Sequence, residues 1–183
     1  MDRQPTLEGE CLLLRPLGKE DWQALYAVAA DPLVWSQHPQ HDRWQEDVFR
    51  AFFDDALSKG GAIAVIDRAT GAVVGSSRWE RLDTSGGGSV EIGWTFLARS
   101  HWGGSCNREL KRLMLEHAFR FVEQARFRVG EDNHRSRRAM EKIGGRLTED
   151  STIEQTASGP VRHVLYAISR DEFARGPLQQ QSR

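Results

Sequence analysis

One mixed α/β (α+β) domain around a single central sheet is the fold class that this sequence predicts. Three observations carry the prediction. The chain has 183 residues, the size of one ordinary domain. Its hydrophobic period switches repeatedly between the two-residue repeat of strands and the 3.6-residue repeat of helices. No internal repeat and no Pro- or Ser-rich linker divides it. At this length about 70% of the unfolded chain's surface can be buried, so no disulfide or metal staple is required.

The elements follow in order. Residues 1–5 carry no pattern. A first strand is expected over residues 10–16, ended by Pro16. Trp22, Leu25, Tyr26 and Ala29 recur at helical spacing within residues 20–30, and Asp31-Pro32 stops that helix. A polar, aromatic-rich segment, residues 35–44, precedes a second helix that runs to about Leu57 with Val48, Phe52 and Ala56 along one face. Residues 62–66 form a short apolar strand, and the turn at 69–72 returns the chain as an antiparallel neighbour over 73–79. After the glycine-rich loop 85–89, Val90, Ile92, Trp94 and Phe96 alternate with Glu91, Gly93 and Thr95, which is a strand with two distinct faces. A long amphipathic helix starting near Asn107 is marked by Leu110, Leu113, Met114, His117, Ala118 and Phe121. A short strand at 126–130, a helix over about 135–143 closed by Gly144-Gly145, and a last strand at 161–169 complete the domain. The domain is expected to span residues 6–175, and residues 176–183 read as a flexible polar tail.

Composition excludes several classes. Twenty-five basic and 26 acidic residues give a net charge of −1, with 28% charged and 39% hydrophobic residues. That is neither a disordered chain nor a globally basic nucleic-acid binder. No apolar stretch approaches the roughly 18 residues that span a membrane, and the first ten residues hold no apolar leader. The two cysteines, Cys11 and Cys106, form no metal-type cluster. A cytoplasmic protein with no nucleic-acid or membrane partner is the expectation.

The chemistry concentrates at the junction of the 90–96 strand with the following helix. The connection Ser100-His-Trp-Gly-Gly-Ser-Cys-Asn107 is glycine-rich. Such a turn lets backbone N–H groups approach a ligand, and the helix N-terminus adds positive partial charge. Together they suit a phosphate or pyrophosphate. Neither a Walker-A nor a dinucleotide-binding glycine motif is present. Residues 105–147 hold eleven basic and six acidic side chains, a local +5 against −6 in the rest of the chain. Arg108, Arg135, Arg137 and Arg138 stand near the starts of the two helices, where a multiply phosphorylated ligand could gather them.

The segment Glu131-Asp-Asn-His-Arg-Ser-Arg-Arg-Ala-Met-Glu-Lys-Ile-Gly-Gly145, in its order after strand, turn, helix and strand, resembles the GCN5-related N-acetyltransferases. Its most specific part is the spacing of Asn133, Ser136, Ala139, Ile143 and Gly144. Within that superfamily the chain looks most like the ribosomal-protein-alanine acetyltransferase branch, over residues 7–173. The resemblance implies a mostly antiparallel twisted sheet and acetyl-CoA as co-substrate. It implies a pyrophosphate site at Trp102, Gly103, Gly104, Ser105, Cys106 and Asn107, pantetheine along the strand end at Phe96 and Leu97, and Asn133 and Ser136 facing the cofactor. It also allows a homodimer. The chain departs from the family at the turn, where Trp102, Ser105 and Asn107 replace signature residues, and at Met140, which stands where many relatives carry a Tyr general acid.

The resulting expectation is an N-acetyltransferase that moves an acetyl group to a primary amine by direct attack. The acceptor is a protein N-terminal α-amine or a small molecule, with the outlying negative charge favouring a cationic one. Glu91 is the expected general base and Ser136 the hydrogen-bond partner of the departing sulfur, with backbone N–H groups near Phe96–Leu97 holding the oxyanion. His38, His41, Trp35 and Trp44 could border the acceptor pocket. Two alternatives stay open. One is a silent acyl-CoA-binding module; the other is a Cys106 thiol enzyme with His101 or His117 as its base.

Overall fold

A computed structural model describes residues 1–156 and 159–180. Strand β1 (Leu7–Glu8) and strand β2 (Leu12–Pro16) form a tight hairpin, and a 3-10 turn leads into helix α1 (Trp22–Ala29). The Asp31 side chain caps the single-turn helix α2 (Pro32–Trp35), and helix α3 (Glu46–Lys59) follows. Strands β3 (Ala62–Asp67), β4 (Val73–Asp83) and β5 (Ser89–Leu97) form a meander, after which helix α4 (Ser105–Ala118) crosses to strand β6 (Gln124–Gly130). Helix α5 (His134–Lys142), strands β7 (Arg146–Thr156) and β8 (Gly159–Ser169), and helix α6 (Arg170–Arg175) complete the chain. No helix among the described residues is long and apolar enough to cross a membrane.

The eight strands form one sheet in the order β1-β2-β3-β4-β5-β6-β8-β7. Every pairing is antiparallel except β5–β6, the strands joined through the crossover helix α4 as parallel neighbours must be. Alternation along the strands divides the core. Ile63, Val65, Val74 and Ile92 face a layer built by α4, α5 and α6. Ala62, Ala64, Ile66 and Phe96 face α1, α2 and α3. On that second face Trp22, Trp35, Phe49, Phe52 and Phe96 pack ring against ring at centroid distances of 5.0–6.4 Å, the tilted and edge-on geometries that aromatic quadrupoles favour.

Three sequence expectations need correction. Strand β7 is not anticipated because its side chains are mostly exposed and show no alternation; pairing with β8 alone defines it. Helix α4 begins at Ser105, not near Asn107, with Gly104 at its cap. The C-terminal segment is not a loose polar tail over its described part. Leu178 is 3% exposed within the α4–α6 core, and Arg108 Nη2 donates to the carbonyls of Pro177 and, at 2.9 Å, Gln180. Residues 181–183 lie outside the described residues. The first residues are tied down as well, with Arg3 and Gln4 donating to the carbonyls of Trp79, Lys59 and Ala62.

Candidate active site

Strands β5 and β6 pair only at Ser89–Gln124, Val90–Ala125 and Glu91–Arg126. Beyond that point they part. The separation coincides with an irregularity in β5, where the step from Arg78 to Ser76 on β4 spans Gly93 to Phe96 on β5. Trp94 lies in this bulge with φ at 52°, a region that non-glycine residues rarely adopt. Such strain persists where the surroundings enforce it, and it clusters at functional sites. The Trp94 ring is fixed by the Arg78 and Arg81 guanidiniums, 5.1 and 5.5 Å from its centroid.

The parted strands open a cavity of about 520 Å³. One end is walled by Trp102, Gly103, Gly104 and Asn107 at the start of α4. Gly103 has φ +71°, which an L side chain resists, and a Cβ at Gly103 or Gly104 would project into open space. The turn is therefore shaped as a bare backbone cradle at a helix N-terminus. Trp102 pins it to the strand, its indole Nε1 donating to the Leu97 carbonyl at 2.9 Å. Arg135 from α5 stacks on the same indole at 4.1 Å and donates to the Val34 carbonyl.

Charge distinguishes this cavity most clearly. Its walls carry Arg108, Lys111, Arg128, Arg135, Arg138 and Lys142, and among the described lining residues no carboxylate. The arginines of that set fit a phosphate-rich ligand.

Of the residues singled out by the sequence, Phe96, Leu97, Trp102, Gly103, Gly104, Asn107, Asn133 and Ser136 all line the cavity. Ser105 and Cys106 do not. Asn133 caps α5, accepting the Ser136 N–H at 3.1 Å, and this presents the Ser136 side chain at the wall. Trp35 and His38 line the far side, whereas His41 and the exposed Trp44 lie elsewhere.

Glu91 is placed differently from its expected role as base. It is buried and absent from the cavity wall, its Oε2 2.7 Å from Arg81 Nη1 and 3.5 Å from Arg128 Nη2. Cys106 also departs from its alternative role as nucleophile: burial pushes its thiol above the ordinary value. Its two proposed bases are engaged elsewhere. His101 Nε2 lies 3.0 Å from Asp67, and His117 Nε2 2.7 Å from the Asp2 carbonyl.

Two titratable groups that sequence reasoning did not single out, Lys111 and His163, line the cavity, and His38, expected at an acceptor pocket, lines it as well. Lys111 is 3% exposed, and its Nζ donates to Thr95 Oγ1 at 2.8 Å; burial lowers its ammonium to about 7. Burial also lowers His163, whose Nδ1 is enclosed without a hydrogen-bond partner. His38, lowered to about 3 by burial and by nearby Arg43, uses both ring nitrogens, toward the Gln40 N–H and Arg43.

Comparison with known proteins agrees with this geometry. The acetyltransferase (GNAT) domain pattern matches residues 12–146. No curated protein matches the chain. Among solved structures, a GCN5-related N-acetyltransferase from Brucella melitensis superposes with a TM-score of 0.77 at 22% identity, covering 93% of this chain and 81% of that one. Mycobacterium smegmatis RimJ in complex with CoA-disulfide gives 0.70 at 17% identity, over 91% and 86% of the two chains. Spermidine N-acetyltransferase from Vibrio cholerae, in complex with CoA and spermine, gives 0.68 at 16% identity, over 91% and 99%. With the family pattern covering most of its length and the parted strands lying inside the match, this chain belongs to the GNAT acetyltransferase family.

Proposed function

We propose that this protein is an N-acetyltransferase that uses acetyl-CoA to acetylate a primary amine by direct attack, with no acyl-enzyme intermediate. The observation that carries the reading is the cavity where β5 and β6 part, lined by cations and, among the described residues, by no carboxylate. Acetyl-CoA, held there, supplies an acyl group already activated as a thioester. The backbone of the Trp102–Asn107 turn and the arginines beside it would take its phosphates. Backbone N–H groups near Phe96–Leu97 would receive the developing oxyanion. The Ser136 hydroxyl would hydrogen-bond the departing sulfur as an electrostatic helper, since Met140 has no proton to give.

The acceptor ammonium must lose a proton before it attacks. With Glu91 bound between two arginines, the imidazole of His163, which lines the cavity, is the group assigned to receive it. Burial keeps this ring neutral, and its register on β8 puts it beside Gly130 of β6, on the opposite side of the sheet from Phe127 and α4. Glu91 acts through Arg128, holding that side chain at the wall. The ribosomal-protein-alanine branch would supply a protein N-terminal α-amine as acceptor; a small-molecule amine is the other choice. Arg128, on the side of the sheet that bears His163, favours an acceptor with one amine over a polyamine.

Calorimetric titration with acetyl-CoA, with free CoA and ATP as controls, tests the reading. Micromolar binding of both CoA forms, with ATP much weaker, is expected. A protein that binds them but turns over no amine is a silent acyl-CoA-binding module. No binding at millimolar acetyl-CoA overturns the assignment.

A further inference from the structure

Lys111 is a buried cation for which the described fold offers no counter-ion. Its ammonium, on α4, reaches the parting of the strands, where its one hydrogen-bond acceptor is the Thr95 hydroxyl. That hydroxyl is in turn 2.7 Å from Ser77 Oγ. The face of the Phe127 ring lies 5.5 Å away. No carboxylate pairs with it among the described residues, and none lines the cavity. Enclosing an ammonium in this way is costly unless a partner arrives.

The phosphates of a nucleotide-like ligand do not serve as that partner. They belong at the backbone cradle opening α4, and Lys111 lies six residues further along the helix from Ser105, about 9 Å deeper. Arg108, three residues after Ser105 on the same helix, already stands closer to that end. The cation is thus set at a different depth, on the α4 side of the sheet, opposite the side bearing Arg128 and His163. A second anionic group carried by the bound thioester would meet it there. We infer that Lys111 makes the cavity selective for acyl-CoA thioesters whose acyl chain ends in a carboxylate, with acetyl-CoA the weaker donor. This rests on the reading of the cavity as an acyl-CoA site.

The test is binding, free of any acceptor. Acetyl-, malonyl- and succinyl-CoA are titrated by calorimetry into the wild-type protein and into Lys111→Met at pH 7. The wild type is expected to bind malonyl- or succinyl-CoA about tenfold to a hundredfold more tightly than acetyl-CoA, the range of one charge-assisted hydrogen bond. Lys111→Met is expected to lose that preference. The wild-type comparison needs no variant, so a misfolded substitution does not spare the inference. Equal binding of the three thioesters by wild type overturns it and leaves the acyltransferase reading standing, as does a preference that survives in Lys111→Met. If none of them binds, both readings fall together.

Discussion

Lys111→Met should stabilise this protein at neutral pH, and the gain should vanish as the solution becomes alkaline. Unfolded, the lysine titrates near 10.5; folded, burial lowers it to about 7. Between those values the unfolded chain holds a proton that the folded chain has released. Stability therefore rises with pH across this window, and below about 7 the whole penalty of enclosing the charge is present. At 1.36 kcal/mol per pH unit, the difference amounts to a penalty on the order of 4–5 kcal/mol. Methionine removes it, fills similar volume and forfeits the bond to Thr95, worth about 1 kcal/mol. The net expectation at pH 7 or below is a variant more stable by roughly 3–4 kcal/mol, declining to no advantage near pH 10.5. Urea unfolding of both proteins at unit steps from pH 6 to pH 10 measures it, because other titrating groups cancel in the difference. A stability difference that stays constant over that range would refute the reasoning, since it would mean that the folded lysine remains protonated throughout.

Other expectations concern the remaining walls of the site. His163→Gln should lower turnover by about a hundredfold or more with acetyl-CoA affinity unchanged. In the wild type, kcat/KM should fall as pH drops through the lowered titration of His163. Glu91→Gln should cost less than about tenfold in turnover, and a loss as large as that of His163→Gln would restore the carboxylate as base. Asn133→Ala should destabilise by about 1 kcal/mol through loss of the α5 cap, whereas Asn133→Asp, which keeps an acceptor, should not; chemical denaturation separates the two. Gly103→Val should cost about 1–3 kcal/mol because φ +71° is adverse to a branched side chain. Calorimetry should show its acetyl-CoA binding weakened along with it.

Much of the fold was legible because its signals are local. Trp22, Leu25 and Ala29 announce α1, and the alternation from Val90 to Phe96 announces β5, through contacts with their own layers alone. Asn133 and Ser136 came from the resemblance to a family and not from a local pattern, although the cap they form joins neighbours in sequence. Strand β7 was not, because a polar edge strand exists only through its partner. The ion pairs of Glu91 were not legible either, because Arg81 and Arg128 lie ten and 37 positions away.

The amino-acid sequence by itself thus determined the alternating elements, the cradle of bare backbone at Gly103 and Gly104, and the capped helix α5. Each follows from the conformational preferences of a few adjacent residues. Tertiary structure alone decided which charged groups lose their water and shift their titration. On an isolated α4, Lys111 reads as one more solvated cation beside the stripe of Leu110 and Met114. Placed under two strands that separate after Glu91 and Arg126, it loses its water and most of its affinity for a proton. His163 is changed in the same way by β6 and by Arg128 at its side. A pKa depends on the dielectric and the charges around a group, and in this protein those come from strands far apart in the chain.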